Sequence, residues 1–311
     1  MADDAITVHE LRKTYREVTA LDGIDLTVPR ASVFALLGPN GAGKTTAVAI
    51  LTTLSRADSG TAIIDGVDVR THPHQARSRL GVSGQFAAVD GILTGRENLI
   101  MVARLTGYSR RDALRRADEL LERFGLADAD RRAATYSGGM RRRLDLACAL
   151  IAAPPVLVLD EPTTGLDPIG RTELWYTISQ LVAGGTTVLL TTQYLEEADQ
   201  FSDSVAVLVD GSIVARGTAG ELKRDYASHT VTLVFDEPAE AARAAGHLDM
   251  AGHQPRAHGD QTIEFSADNG AQAVAIAVAE LTAAGIAVAE ATSAAPTLDD
   301  VFVRLTLGAQ S

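Results

Sequence analysis

The 311-residue chain has one cysteine, few aromatic residues and no surplus of positive charge. The single cysteine, Cys148, cannot form a disulfide within the chain, which favours a reducing, cytoplasmic compartment. It lies on the apolar face of a helical pattern, so we expect a buried core thiol and not a catalytic one. The net charge of −12 disfavours non-specific nucleic-acid binding, which requires a basic surface. We therefore expect no nucleic-acid partner.

The chain also lacks a long apolar run. A membrane-spanning helix needs about 18 or more consecutive apolar residues, and the best run, residues 146–159, is shorter and contains Pro154 and Pro155. The first residues are acidic and do not have the basic-then-apolar pattern of a secretory signal. We therefore expect a protein that neither spans the bilayer nor is secreted.

Composition and length indicate a globular protein of about two domains. Hydrophobic residues make up 46% of the chain and charged residues 22%, which is within the ordinary range for such proteins. From Tyr226 onward there are 11 acidic residues and only 3 arginines, so the character of the chain changes at this point. We predict a first domain at residues 5–225 and a second at residues 226–311.

Hydrophobic patterning predicts an α/β fold for the first domain. Short apolar runs at residues 33–37, 156–159, 187–190 and 205–209 alternate with helical segments. Continuous apolar strands of this kind are typical of a parallel sheet that is covered on both faces. Residues 61–69 predict a hairpin that turns at Asp65 and Gly66. Residues 94–124 are helical in pattern.

The second domain has a different pattern, which predicts a small α+β fold, with a ferredoxin-like arrangement as the candidate. Its expected strands are at residues 231–235, 262–265 and 286–289, and its expected helices are at residues 239–248, 271–284 and 298–307. No catalytic or metal-binding spacing is present in this part of the chain.

A glycine-rich stretch between an apolar run and a helical segment predicts a phosphate-binding loop. It matches G-x-x-x-x-G-K-[ST], and its residues are Gly38, Pro39, Asn40, Gly41, Ala42, Gly43, Lys44, Thr45 and Thr46. Glycines let several backbone N–H groups point at one anion, and the start of a helix adds more of them. We expect Lys44 to contact the β- and γ-phosphates of a nucleoside triphosphate and the Thr45 hydroxyl to bind Mg²⁺.

A phosphate-binding loop alone leaves a kinase, a GTPase and an ATPase open. Two carboxylates, Asp160 and Glu161, follow the apolar strand at residues 156–159. We expect Asp160 to belong to the Mg²⁺ shell. Glu161 is one position further on, so it points elsewhere and can orient or deprotonate the attacking water.

A second anion-binding element is predicted at Ser137, Gly138 and Gly139, which lead into a helical run. A hydroxyl, backbone N–H groups and a helix N-terminus together form a second phosphate cradle. Two such cradles in one chain, far apart in sequence, suggest that two copies meet head to tail around the nucleotides.

With these motifs, residues 5–225 resemble the ABC-type ATPases. The resemblance implies ATP as ligand, Mg²⁺ as cofactor and a homodimer in which the Ser-Gly-Gly element of one copy contacts the γ-phosphate bound to the other. It further implies that Tyr15 stacks on adenine, that Gln85 senses Mg²⁺ and the attacking water, and that Asp160 and Glu161 are the metal-shell aspartate and the general base. The stretch from Gln85 to Ser137 is similar to the compact helical subdomain of the transporters.

Two positions depart from the family pattern. Gln193 stands where the family usually has a histidine, and Met140 stands where it usually has a glutamine. The amide of Gln193 can still donate a hydrogen bond to the γ-phosphate, but it cannot carry a proton. We count Gln193 with Gln85 and Glu161 among the expected catalytic residues.

The phrases around residues 84–90, 93–99 and 192–199, together with the tail at residues 296–302, are similar to the daunorubicin-resistance type of drug-exporter ATPase. This resemblance implies a separate ABC-2 type permease as partner and a location at the cytoplasmic face of the cell membrane, bound through that permease. The alternatives are a soluble, non-transport ABC ATPase and an importer subunit. The first usually carries two ATPase domains, long coiled coils or zinc modules, and the Gln193 phrase and the tail disfavour the second.

Overall fold

The computed structural model describes residues 4–84, 89–126 and 130–308. By internal contacts the chain divides into two units, Met1–Ala219 and Gly220–Ser311. The division falls slightly before residue 226, and the predicted domain bounds of 5–225 and 226–311 stay a prediction.

The first unit contains two sheets and the helices that cover them. Its described strands are β1 (Asp4–Tyr15), β2 (Val18–Pro29), β3 (Val33–Leu37), β4 (Ser59–Ile64), β5 (Val67–Asp68), β6 (Leu80–Ser83), β7 (Val156–Asp160), β8 (Thr187–Thr192), β9 (Ser204–Val209) and β10 (Ser212–Gly217). Its described helices are α1 (Lys44–Leu51), α2 (Pro73–Arg77), α3 (Gly95–Leu105), α4 (Arg110–Arg123), α5 (Gly138–Ala149), α6 (Pro168–Ala183) and α7 (Leu195–Phe201).

The central sheet has six strands in the order β10-β9-β3-β8-β7-β6. Neighbours from β9 to β6 run parallel, and β10 pairs with β9 in the antiparallel direction at one edge. Every residue of β3 and β8 is buried, as continuous apolar strands require when both faces are covered. The predicted parallel α/β sheet is confirmed. The residues that follow β3, β7 and β8 lie at the carboxyl edge of this sheet.

A second, antiparallel sheet in the order β2-β1-β4-β5 lies in the same unit. The predicted hairpin is present, since Ile64 pairs with Val67 across the turn. Asp65 and Gly66 both adopt positive φ, at 47° and 78°, which is the geometry of a tight two-residue hairpin turn.

The predicted helical stretch at residues 94–124 is two helices and not one. Helix α3 ends at Leu105, and Gly107, with φ of 95°, reverses the chain before Ser109 caps α4. Thr94 begins α3 with a capping box that involves Glu97. The apolar residues keep their helical spacing on both sides of the break, because α3 and α4 each bury one face.

The second unit is a four-stranded antiparallel sheet with helices. Its described strands are β11 (His229–Val234), β12 (Arg256–Ala257), β13 (Thr262–Ala267) and β14 (Glu290–Ala294), in the order β12-β13-β11-β14. Its described helices are α8 (Ala219–Tyr226), which begins at the last residue of the first unit, α9 (Pro238–Met250), α10 (Gly270–Ala283) and α11 (Leu298–Gly308). From β11 to β14 the order of elements is that of a split β-α-β ferredoxin-like fold, as predicted.

One strand of the second unit is not where the sequence predicts it. The expected strand at residues 286–289 is a connection, and β14 begins only at Glu290. Ile286 is nevertheless buried in the core with Leu281. Its apolar character therefore reflects packing and not strand pairing.

Cys148 lies in α5 and is buried, as expected from its sequence position. Burial raises the pKa of the Cys148 thiol to about 12, and the charge of Asp145 acts in the same direction. A thiol in this state is protonated and inert at neutral pH.

Gly81 in β6 provides a test of the packing between the central sheet and α5. A Cβ at this position would lie 2.4 Å from the Ala149 carbonyl oxygen and 2.8 Å from Pro154 Cγ. We expect Gly81→Ala to destabilise the protein by about 1–3 kcal/mol because it overpacks a close contact. Thermal unfolding by calorimetry measures this.

The matched control is Gly246→Ala in α9, where an added Cβ meets nothing within 4 Å. Alanine in a helix interior is more stable than glycine by about 0.5–1 kcal/mol, so this variant should unfold at an equal or higher temperature. If the two variants unfolded alike, the close contact at Gly81 would be wrong.

Candidate functional site

The loop from Gly38 to Gly43 connects β3 to α1 and has glycines where a side chain would not fit. A Cβ at Gly38 would lie 2.3 Å from the Leu208 carbonyl oxygen, and one at Gly43 would lie 2.3 Å from that of Ala20. Gly43 also has φ of 109° and stands at the N-cap of α1. The loop is therefore held tightly against its neighbours, and its N–H groups are set by the backbone.

Lys44 is the first residue of α1 and is buried, with only 5% of its surface exposed. Its Nζ donates hydrogen bonds to the carbonyl oxygens of Gly38, at 2.6 Å, and Pro39, at 3.0 Å. Burial lowers the pKa of Lys44, and the nearby carboxylates of Glu161 and Asp160 oppose that shift. A partly desolvated ammonium group inside a loop of N–H donors is a site for an anion.

The other loop residues lie around this lysine. Ala42 is buried, and its N–H donates to the Pro39 carbonyl oxygen at 3.2 Å. Asn40 and Gly41 are exposed at the tip of the loop. The remaining members of the motif, Thr45 and Thr46, form the first turn of α1 together with Lys44, and Thr45 is exposed there.

Asp160 and Glu161 stand at the end of β7, and Thr191 of β8 orders both of them. The Thr191 hydroxyl donates a hydrogen bond to Asp160 Oδ1. The Glu161 N–H donates to the carbonyl oxygen of Thr191, at 3.1 Å, and to its hydroxyl, at 3.2 Å. Glu161 adopts φ of 49°, a left-handed conformation that is uncommon outside glycine. The chain therefore turns at Glu161, directly after the strand, and sequence reasoning did not find Thr191.

Gln193 follows β8 directly and is partly buried. Since Thr192 pairs with Leu37, Gln193 lies beside the start of the phosphate-binding loop. The Thr192 hydroxyl donates to Glu197 Oε2 at 3.0 Å and accepts from the Tyr194 N–H at 3.0 Å. Burial raises the pKa of Glu197, which is 2% exposed. This arrangement fixes the turn that carries Gln193.

Tyr15 ends β1 with 46% of its surface exposed. Its hydroxyl lies 3.2 Å from the Ser55 hydroxyl, and the Lys13 ammonium lies 5.1 Å from its ring centroid. The ring is thus fixed at its far end and available for stacking.

Ser137 caps α5 and accepts a hydrogen bond from the Met140 N–H at 3.2 Å. An added Cβ at Gly139 would meet nothing within 4 Å, so this helix start is open. Gly138 lines a shallow pocket together with Glu161 and Gly165 of the same chain. Of the other predicted site residues, Gln85 lies outside the described residues.

Arg142 in α5 is a second residue that sequence reasoning missed. Its guanidinium donates to the carbonyl oxygens of Gly84, at 2.6 Å, and Pro162, at 2.8 Å, and lies 3.4 Å from that of Asp160. It also faces Asp145 at 3.5 Å. Burial lowers the pKa of Arg142, whereas Asp145 and Asp160 oppose the shift. This one side chain connects α5 to the ends of β6 and β7.

Comparisons with known proteins agree with this geometry. The ABC transporter family profile matches residues 21–164. Over 307 residues the chain is 48% identical to the daunorubicin resistance ATP-binding protein DrrA3 of Streptomyces coeruleorubidus, covering 98% of this chain and 97% of that protein. The chain belongs to the daunorubicin-resistance type of ABC transporter ATP-binding proteins.

More distant relatives support the same assignment. The Nod factor export ATP-binding protein I of Ralstonia nicotianae is 42% identical over 241 residues, covering 76% of this chain and 74% of that protein. Among solved structures, cbiO1 from Clostridium perfringens, part of the ABC transporter complex cbiONQ, superposes with a TM-score of 0.66 at 25% identity and covers 81% of this chain and 98% of that one. The predicted ABC-type P-loop ATPase fold is confirmed, and the protein is an ATP-hydrolysing subunit of this family.

The described residues contain neither a membrane-spanning helix nor a cluster of metal-binding side chains. Within the described ranges, none of the helices combines the length and apolar character that a bilayer-spanning helix needs. The same residues contain no group of three or more histidine, cysteine or acidic side chains that could hold a metal. Mg²⁺ at an ABC ATPase site fits this finding, because Mg²⁺ usually takes one or two protein ligands together with substrate phosphates and water.

The role of Arg142 in supporting the backbone around Asp160 of this ABC ATPase can be tested with Arg142→Lys. Lysine keeps the charge but lacks the planar fork that reaches several carbonyl oxygens at once. We expect Arg142→Lys to lower ATPase turnover on the order of tenfold, because the backbone around Asp160 loses its support. Steady-state phosphate release measures this.

Arg143→Lys is the matched control at the neighbouring position. The Arg143 guanidinium faces the Phe124 carbonyl oxygen, at 3.4 Å, and Glu173, at 3.3 Å, and among the described residues it has no hydrogen bond or ion pair with the ends of β6 and β7. The ATPase turnover of Arg143→Lys should stay near that of the parent protein. Parental turnover in Arg142→Lys would contradict the positioning role.

Proposed function

We propose that this chain powers the export of a drug, antibiotic or other hydrophobic compound through a separate permease of the ABC-2 type. Two copies of the chain work as a homodimer at the cytoplasmic face of the cell membrane, bound through the permease. The names of the relatives, daunorubicin resistance and Nod factor export, support export over import. Those names give no support to the soluble, non-transport alternative.

One observation supports the proposal most strongly: a buried cation and two carboxylates lie together at the carboxyl edge of the central sheet. Lys44 is surrounded by the loop after β3, whereas Asp160 ends β7 and Glu161 comes directly after it. Thr191 on the strand between them contacts both acidic residues. A phosphate-binding cation beside acidic groups at strand ends is what phosphoryl transfer to water requires.

The residues that bind ATP in this proposal belong to four elements. Lys44 and the backbone N–H groups from Gly38 to Thr46 hold the β- and γ-phosphates. Tyr15 stacks on adenine. Ser137, Gly138 and Gly139 of a second copy contact the γ-phosphate from the opposite side.

The catalytic residues act on water and on the developing charge. Glu161 accepts the proton of the attacking water. Gln193 donates an amide hydrogen bond to the γ-phosphate. Thr45, Asp160 and Gln85 would hold Mg²⁺, and when bound this ion neutralises charge on the phosphate oxygens. A test of transport is co-expression with an ABC-2 type permease and measurement of daunorubicin efflux from the cells.

The role of Glu161 can be tested with Glu161→Gln. The amide cannot accept a proton, so we expect ATPase turnover to fall by about a hundredfold or more while ATP binding remains. The variant should accumulate as an ATP-bound dimer, because the nucleotides link the two copies and binding to the dimer alone stabilises it. Size-exclusion chromatography with light scattering at saturating Mg-ATP measures the mass.

Lys44→Ala is the matched control for this experiment. Removing the ammonium group should abolish tight ATP binding, so this variant should stay monomeric under the same conditions. A monomeric Glu161→Gln protein with normal ATP affinity would count against the head-to-tail dimer.

The role of Gln193 can be tested with two substitutions. Gln193→Ala removes the proposed contact with the γ-phosphate and should lower turnover by about tenfold, the loss of roughly 1.4 kcal/mol of transition-state stabilisation. Gln193→His restores a donor of similar reach and should preserve or raise turnover. Equal rates for the parent and both variants would show that Gln193 does not touch the nucleotide.

A further inference from the structure

A cavity of about 290 Å³ lies in the first unit, outside the residues assigned to the nucleotide. It is bounded by the antiparallel sheet, the end of α1 and the segment that leads into α2. Its floor is apolar and buried, and consists of Leu11, Ile50, Ala62 and Val69. This volume is near the lower end of the range of small-molecule pockets, about 300–1,000 Å³.

The rim of this cavity is basic, although the chain as a whole has a net charge of −12. Arg56, Arg70, His74 and Arg77 line it, and no acidic side chain does. Arg77 contacts His74 at 3.2 Å, whereas the side chains of Arg56 and Arg70 are exposed and have no partner among the described residues. The rim therefore offers uncompensated positive charge above an apolar floor.

The acidic residues closest in sequence to these arginines are engaged elsewhere. Asp58 forms an ion pair with Lys13 at 2.9 Å and accepts a hydrogen bond from the Thr14 N–H at 2.7 Å. Asp68 accepts hydrogen bonds from the N–H groups of Arg70, at 2.9 Å, and Thr71, at 2.8 Å. Neither carboxylate lines the cavity, so the charge of the arginine side chains at its mouth is available to a ligand.

Thr53 follows the end of α1 at the wall of the cavity. Its φ of 64° is the left-handed conformation of a helix C-terminus, since the N–H groups of Leu54 and Ser55 both donate to the Ala49 carbonyl oxygen, at 2.8 and 2.9 Å. The Thr53 hydroxyl oxygen is buried within the wall and does not face the cavity. The chemistry of the cavity is therefore set by its apolar floor and its basic rim.

We propose that this cavity is a second ligand site, which binds a small organic anion with an apolar body and a carboxylate, sulfonate or phosphate group. The apolar body packs on Leu11, Ile50 and Val69. The anionic group pairs with Arg56 and Arg70.

The site borders on the nucleotide-binding region without sharing its residues. Ser55 lines the cavity, and its hydroxyl lies 3.2 Å from that of Tyr15. None of the phosphate-loop residues, and neither Asp160 nor Glu161, lines it. Occupancy of the two sites is therefore separable by experiment.

The probe for this test is 8-anilinonaphthalene-1-sulfonate, an aromatic body with one sulfonate, titrated into the full chain and followed by fluorescence. We expect the double variant Arg56→Glu/Arg70→Glu to bind it at least about tenfold more weakly, the loss of one charge-assisted hydrogen bond or more. The matched control, Arg110→Glu/Arg111→Glu, makes the same charge change at the exposed start of α4 and should bind as the parent does.

A neutral probe separates loss of charge recognition from damage to the cavity. N-phenyl-1-naphthylamine keeps the aromatic body and lacks the sulfonate, so its affinity should be the same in the parent and both double variants. Equal weakening of both probes would overturn the proposed anion site.

Competition distinguishes this site from the nucleotide site. Saturating Mg-ATP should leave the sulfonate affinity unchanged, and so should Lys44→Ala. The proposal is wrong if ATP displaces the probe, if Lys44→Ala abolishes its binding, or if Arg56→Glu/Arg70→Glu binds it with the parental affinity.

Discussion

The parallel pairing of β3, β8 and β7 is the constraint from which the arrangement of the site follows. Leu37 lies opposite Thr192, and Thr191 lies opposite Asp160. The residues that come next in each strand are therefore brought to one edge, although they are far apart in the chain. A shift of this register would move the residues after β3 along the sheet edge and would separate the loop lysine from its carboxylates.

Buried charge at this edge is balanced by neighbours and not by solvent. Lys44 is buried and Arg142 is partly buried; desolvation lowers the pKa of both cations, and both face carboxylates that oppose the shift. Desolvated charges are costly unless they are paired and hydrogen-bonded, and each of these cations donates to backbone carbonyl oxygens as well. The carbonyl contacts of Lys44 hold the ammonium in the loop, where an anion can replace them at little cost.

The motifs of the site could be predicted from the sequence because each depends on local backbone chemistry. Gly38 and Gly43 are required by close approaches to carbonyl oxygens, and that requirement leaves a spacing that can be recognised. Thr191 and Arg142 could not be found in this way. Their roles depend on which strand or loop lies beside them. Thr191 stands in an apolar run and Arg142 in a basic run, and neither sequence context indicates which element will be the neighbour.

The errors in the fold prediction have a related physical cause. The spacing of apolar residues indicates which residues are buried, and residues can stay buried where the backbone changes direction. Gly107 breaks the helical stretch at residues 94–124 without interrupting its apolar face, and Ile286 is buried in a connection that precedes β14. The cavity beneath Arg56 and Arg70 could likewise not be predicted from the sequence pattern, because its floor comes from separate strands and a helix.

The division of the chain into two units has a consequence for specificity. All the predicted nucleotide-binding and catalytic residues belong to the first unit, and the interactions proposed there involve phosphates, adenine and water. Backbone N–H groups, a lysine and two carboxylates act in the same way whatever compound is moved. In the proposed function the exported compound is therefore selected by the permease, and this chain supplies the free energy of ATP hydrolysis to a site it does not contain.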